Sequence, residues 1–317
     1  GMVLYPGCDY AGEVSVKQIG ITEDGFDGVM PKVFCHEEEG KSLMPVRRRD
    51  GNKGTFGKIL VIAGSKNMSG ACALSAEAAF RTGCGMVRVL TDRENKQILG
   101  VKLPEAILGL YETEEELQEE LKKGCEWADC ILIGPGCGTG RDTEEKLKAV
   151  IEKCEKPVVI DADGLNVISE NLRLYNSLKK SIMEKNRSVI ITPHLGEFSR
   201  LNKKSVPEIK KAFLTETEQF AKECGCVLVC KDVRTAVCKQ GESTYLNISG
   251  NCGMATAGSG DVLAGMITGL LAQGMEAYEA AVLGVYLHGK AGDMAAAEKN
   301  EYALMAGDLI QKFDDLF

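Results

Sequence analysis

In the stretch Asn251-Cys252-Gly253-Met254-Ala255-Thr256-Ala257-Gly258-Ser259-Gly260-Asp261, glycines and small residues lead into one carboxylate at the head of an apolar helical run, 262–272. A helix start leaves about four backbone N–H groups without intrahelical partners, and the helix dipole favours negative charge there. With the backbone kept bare, Gly258, Ser259 and Gly260 make an anion hole suited to a phosphate. Asp261 then stands where an incoming hydroxyl would meet that phosphate, as a general base. Aspartate is also a good N-cap, so capping of 262–272 is the competing explanation, weakened by the glycine density on both sides.

Further polar residues follow short apolar runs. Asp161 and Asp163, with Asn166 beyond them, can hold Mg²⁺ through water, bind sugar hydroxyls, or cap the next helix. Pro193 fixes the chain ahead of His194, whose imidazole can bind substrate, and Glu197 can order a Mg²⁺-bound water. Lys231 and Thr235 flank a strand-to-hairpin junction where amine, hydroxyl and backbone can meet nucleotide phosphates, although lysines at strand ends are usually just solvated. The loop 64–71, ending at Ala71, links a strand to a helix and lets backbone approach a ligand. His288, inside a helical pattern, reads as a packed or capping histidine; His36 carries no signal. Gly54-Thr55-Phe56-Gly57-Lys58 precedes a strand and lacks the spacing of a phosphate loop.

These residues need a scaffold that gathers them. Short β-branched runs at 59–63, 86–90, 106–110, 130–133, 158–160, 188–191 and 226–230 alternate with helical patterns such as 71–82, 143–153 and 205–223. That alternation predicts an α/β fold with a central, mostly parallel sheet. The runs 235–239 and 243–248, separated by Gln240-Gly241, predict an antiparallel hairpin near one end of the sheet. Ala-, Gly- and Leu-rich helices follow to the C-terminus. In such folds ligands bind beyond the carboxyl ends of the strands, where Gly64, the glycine run 134–138, Asp161, His194 and Lys231 all fall. Residues 1–50 differ: 13–21 reads as one strand, and the acidic 37–39 and basic 47–49 read as a solvated linker. Gly1 ahead of Met2 reads as a scar of tag cleavage. The main domain is 51–317.

Composition narrows the function. A net charge of −8, with no basic stripe beyond Arg47-Arg48-Arg49, argues against a nucleic-acid partner. Neither a membrane span nor a signal-peptide pattern is present, so a cytoplasmic protein is expected. The 13 cysteines are scattered through apolar patterns and read as reduced, mostly buried thiols. Cys224, Cys226 and Cys230 lack a partner pair at zinc spacing.

Taken together, the stretches 53–58, 69–71, 81–85, 134–138, 161–166, 192–197, 251–261 and 288–293 resemble the ADP/ATP-dependent NAD(P)H-hydrate dehydratases, a branch of the ribokinase-like superfamily. The resemblance implies a ribokinase-like three-layer α/β/α fold. It implies dehydration of hydrated NADH or NADPH by phosphorylation of the ring hydroxyl and loss of phosphate, with ADP or ATP as co-substrate. In that scheme Asp261 is the base and Gly258, Ser259 and Gly260 form the anion hole. Ala71, Gly136, Gly138 and His194, with Asp261, contact the hydrated nicotinamide nucleotide. Lys231, Asp232, Val233, Arg234 and Thr235, with Gly260, contact the adenine nucleotide. Mg²⁺ bridges its phosphates with Glu197, Asp161 and Asn166 behind it. Asp232 departs from the family, which usually has glycine there, and places an extra carboxylate beside the phosphates. Tyr10-Ala11-Gly12-Glu13-Val14 with Ile19-Gly20-Ile21 resembles the tail of the epimerase domain that precedes the dehydratase in bifunctional versions, and a homo-oligomer of tetrameric kind is implied. The nearest alternative is a small-molecule kinase of the same superfamily, acting on a vitamin precursor or a sugar. A nucleotide-sensing module without turnover would have little use for a carboxylate at the phosphate hole.

Overall fold

The computed structural model describes residues 2–12, 14, 15, 17, 19, 20, 25, 29, 31–36 and 43–316. Its strands are β1 (Val33–Phe34), β2 (Lys58–Ile62), β3 (Met86–Asp92), β4 (Ile107–Tyr111), β5 (Cys130–Ile133), β6 (Val158–Ile160), β7 (Val189–Ile191), β8 (Val227–Cys230), β9 (Ala236–Cys238) and β10 (Thr244–Leu246). They form one ten-stranded sheet in the order β1-β10-β9-β8-β7-β6-β5-β2-β3-β4. Only β9 runs against its neighbours β8 and β10, so the expected hairpin is present toward one end of a parallel sheet.

Alternation along the central strands explains the three layers. Ile59 and Val61 of β2 enter one core while Leu60 and Ile62 enter the other, and β5 divides in the same way, Cys130 and Leu132 against Ile131 and Ile133. The first core is closed by the helices Ser69–Arg81, Ser259–Ala272 and Ala277–Lys299; the second by Glu114–Trp127, Arg141–Lys153, Leu172–Lys185 and Phe213–Cys224. No described helix is long and apolar enough to cross a membrane.

Three expectations need correcting. Of the strand expected at 13–21, the described Val14, Ser15, Lys17, Ile19 and Gly20 are not in a strand, and the other residues lie outside the described ones. The strand that joins the sheet from this region is β1, paired through Val33 and Phe34 to Thr244 and Tyr245. The helix expected over 205–223 is two, Val206–Lys211 and Phe213–Cys224. Ala212 (φ −134°, ψ 37°) bends the chain between them, so that Ile209 and Phe213 both reach the core. Within the basic triplet, Arg47 is not merely solvated: its guanidinium lies 4.0 Å from the Phe56 ring centroid and donates to the Gly83 carbonyl.

Candidate active site

Five neighbouring strands, β8-β7-β6-β5-β2, end on one rim. Asp161 leaves β6, Thr192 leaves β7 and Lys231 leaves β8, and their side chains meet: Lys231 Nζ donates to Asp161 Oδ1 at 2.8 Å and Thr192 Oγ1 donates to the same oxygen at 2.7 Å. The Asp161 side chain is 1% exposed and that of Lys231 20%. Burial alone would lower the lysine, but the Asp161 and Glu197 carboxylates outweigh it and hold its pKa above the ordinary value.

The helix Ser259–Ala272 drops its N-terminus onto this group. Its N-cap is Gly258, at φ +89°, a left-handed conformation that suits glycine, and a Cβ there would lie 2.5 Å from Leu74. Asp261 is therefore the third helical residue and not the cap. Among the described residues no side chain caps the helix, so the first-turn N–H groups of Gly260 and Asp261 have no side-chain acceptor there. A Cβ on Gly260 would lie 3.1 Å from Lys231 Nζ and 4.0 Å from Asp161 Oδ2, so the helix start comes close to the ammonium and a side chain there would press on it. Burial pushes the Asp261 carboxyl up to about 7; Asp161 adds to the rise and Lys231 opposes it.

Two histidines hold the frame. His288 lies buried behind the helix start, with Nε2 3.0 Å from the Ser259 carbonyl oxygen and 3.4 Å from Ser259 Oγ. Burial depresses it to about 4, so it is neutral and Nε2–H donates to that carbonyl. His194 caps the helix Leu195–Asn202: its Nδ1 accepts from Gly196 N at 2.9 Å, and Glu197 Oε2 accepts from His194 N at 2.8 Å. The His194 ring is 57% exposed and faces the rim. Burial, with Asp161 adding, raises Glu197 above the usual carboxylate range, against the pull of Lys231.

The remaining expected residues separate. Ala71 and Gly136 are adjacent, since a Cβ on Gly136 would lie 2.9 Å from Ala71 Cβ; Gly138 has open space in front of it and donates its N–H to Asp163 Oδ2 at 2.7 Å. Asn166 is turned outward, its Oδ1 accepting from Arg200 Nη2 at 2.7 Å. Asp232 faces Lys210, with Oδ2 3.8 Å from Nζ, so its extra charge has a partner. Val233 is exposed. Arg234 is used structurally, donating to the carbonyls of Val3 and Ile248. Thr235 Oγ1 closes the turn on the Asp232 carbonyl at 3.4 Å. Sequence reading missed two contributors: Thr192, which orients Asp161, and Asp293, whose two oxygens accept from Gly250 N and Asn251 Nδ2 and so order the loop ahead of the anion hole. Asp293 had a signal in its motif, and Thr192 in its place at a strand end.

As a metal centre the candidates do not make a cage. Asn166 Oδ1 and Asp161 Oδ1 are already engaged, and no group of three or more His, Cys, Asp or Glu among the described residues could hold an ion. What remains, Glu197 and Asp161 Oδ2, suits a Mg²⁺ carried in on phosphates with its own waters.

A family model described as NAD(P)H-hydrate dehydratase matches residues 59–314, which include every rim residue from Ala71 to Asp293. The chain belongs to the NAD(P)H-hydrate dehydratase family. It is 36% identical over 270 residues to the ADP-dependent (S)-NAD(P)H-hydrate dehydratase of Neisseria meningitidis, a match covering 84% of this chain and 87% of that one. It is 35% identical over 323 residues to the bifunctional NAD(P)H-hydrate repair enzyme Nnr of Moorella thermoacetica, covering 98% of this chain but 58% of that protein. The chain thus spans a little over half the length of the bifunctional relatives it matches. Among solved structures it is similar to the ADP/ATP-dependent NAD(P)H-hydrate dehydratase of Bacillus subtilis co-crystallised with ATP/Mg²⁺, with a TM-score of 0.74 and 27% identity over 88% of this chain and 95% of that one. The ribokinase-like, three-layer α/β/α architecture expected from sequence is the one found.

Proposed function

We propose that this chain dehydrates hydrated NADH and NADPH at the expense of an adenine nucleotide. The observation that carries the reading is Asp261, poised near neutrality on an uncapped helix start beside the Lys231 ammonium. A phosphoryl group seated against the N–H groups of Gly260 and Asp261 meets the ring hydroxyl of the substrate: the hydroxyl oxygen bonds to phosphorus as the bond from phosphorus to the nucleotide's bridging oxygen breaks, ADP leaves from ATP or AMP from ADP, and the hydroxyl proton passes to Asp261. The C–O bond then breaks with inorganic phosphate as leaving group, and a proton lost from the neighbouring carbon restores the ring double bond. Lys231, anchored by Asp161, offsets the charge that develops on the phosphoryl oxygens. A Mg²⁺ ion that arrives with the nucleotide would be held near Glu197 and Asp161 and would supply further charge neutralisation. Ala71, Gly136, Gly138 and His194 line the substrate side; the backbone at 231–235 and Gly260 line the nucleotide side. We also assign residues 1–50 to the tail of a preceding epimerase domain and 51–317 to the dehydratase, acting in the cytoplasm as a homo-oligomer.

The test mixes the protein with hydrated NADH, Mg²⁺ and either ADP or ATP, and follows recovery of reduced-nicotinamide absorbance. Asp261→Asn is expected to lower kcat by about 10²- to 10⁴-fold while nucleotide still binds. A stable phosphorylated product in place of reduced nicotinamide would turn the assignment to a small-molecule kinase.

A further inference from the structure

The peptide between Ser259 and Gly260 carries the first donor of the anion hole, and its own backbone holds it loosely. Gly258, at φ +89°, and Gly260 stand on either side of Ser259, and glycine is the residue with the most conformational freedom to lose. Locally, the Ser259 N–H reaches the Thr256 carbonyl at 3.3 Å and the Val262 N–H reaches the Gly258 carbonyl at 3.0 Å. The Ser259 carbonyl has in addition a partner from far along the chain, Nε2 of His288 at 3.0 Å. Ser259 Oγ is farther from that nitrogen, at 3.4 Å, so the ring N–H is committed to the carbonyl.

A helix carbonyl ordinarily takes one donor, from the residue four positions on, and the imidazole uses the second lone pair. Because the peptide unit is planar and trans, a grip on the Ser259 oxygen is also a grip on the Gly260 N–H, which points the opposite way, toward the rim. A donor on that oxygen polarises the peptide and makes the N–H a stronger donor, by about 10–30%. The imidazole itself is a fixed post. His288 is 8% exposed, on the helix Ala277–Lys299, which comes close at its glycines. A Cβ on Gly284 would lie 2.6 Å from Ile267 Cγ1, one on Gly289 2.2 Å from Ser249 Oγ, and one on Gly292 2.2 Å from Met254 Sδ. The helix is therefore braced both against the helix it serves and against the loop leading into the anion hole. Leucine could fill the place of the ring, but it could not make this bond.

We propose that His288 is a positioning residue of the anion hole: its Nε2–H fixes the Ser259–Gly260 peptide so that the Gly260 N–H meets the transferring phosphoryl group. The inference rests on the reading of that helix start as the phosphate site, and its test separates the two. The chain has three Ser-Gly pairs, Ser69-Gly70, Ser249-Gly250 and Ser259-Gly260. Protein made in a cell-free system with ¹³C in the serine carbonyls and ¹⁵N in glycine therefore gives one filtered amide signal for each. Inorganic phosphate, titrated with AMP present, is expected to shift the Ser259-Gly260 signal in wild type and in His288→Gln, whose side-chain amide still donates. In His288→Leu the same shift should need about tenfold more phosphate, while an unmoved Ser69-Gly70 signal reports a folded chain. A lost oxyanion donor costs more than a misaimed one, so kcat/KM for the nucleotide should fall about 10- to 100-fold in His288→Leu. KM for the hydrate should stay as it was, and His288→Gln should recover most of the loss. Wild-type phosphate affinity at this signal in His288→Leu, or a His288→Gln as impaired as the leucine variant, would overturn the proposal alone. A wild-type signal that phosphate leaves in place would overturn the anion-hole reading and the proposal with it.

Discussion

A carboxylate works as a base near neutrality when it is withdrawn from water and set beside other negative charge, and Asp261 meets both conditions. Because only the ionised form accepts a proton, kcat/KM is expected to rise with pH through an apparent pKa near 7, seen as a single ionisation in the acid limb of the rate profile. Asp161→Asn removes a charge that raises Asp261 and leaves the opposing Lys231, so that limb should move to lower pH by about half to one unit, while kcat falls because Lys231 has lost its anchor. At this scale the sequence was informative where chemistry is local. Gly-Ser-Gly-Asp marks a helix start and a carboxylate within one turn. It did not reveal the Lys231–Asp161 pair, whose partners are 70 residues apart.

The anion hole is placed by one helix crossing. Ser259–Ala272 packs on Ser69–Arg81 with almost no side chain between them: a Cβ on Gly265 would lie 2.2 Å from the Ser75 carbonyl oxygen, a clash with backbone that cannot swing aside. Gly265→Ala should therefore push the helices apart, costing about 1–3 kcal/mol of stability and lowering kcat more than it changes KM for nucleotide. Thermal unfolding and steady-state kinetics on the same variant check both; an unchanged melting point would mean that the two helices do not depend on this close approach. The strands β5 to β8 were legible because fully buried aliphatic runs have few other uses. The bend at Ala212 was not, since the apolar period continues across it, and neither was β1, a two-residue strand too short to leave a pattern.

Across the whole molecule, two buried groups bend stability in opposite directions with pH. Asp261 holds its proton up to about 7 in the folded chain, against 3.8 ordinarily, so stability falls as pH rises through that window. Asp261→Asn should accordingly be the more stable protein by about 1–3 kcal/mol above neutrality and no more stable near pH 4, as urea titrations at both pH values would show. His288 is depressed to about 4, so its contribution is present above 6.5 and lost as pH falls toward 4; His288→Gln keeps an N–H donor for Ser259 and should flatten that acid-side loss. The fold class was readable from the alternation of runs, whereas these balances depend on burial that only the packed molecule defines. Arg234 adds a connection across the chain. One guanidinium grips the carbonyls of both Val3 and Ile248 from within the loop assigned to the nucleotide, and it lies 5.8 Å from the Tyr5 ring centroid. The N-terminal turn is therefore wired to that loop like a needle to a gauge. When nucleotide stiffens 231–235, the Cys8 and Asp9 amides, bonded to Leu4 and Pro6, should exchange with deuterium more slowly.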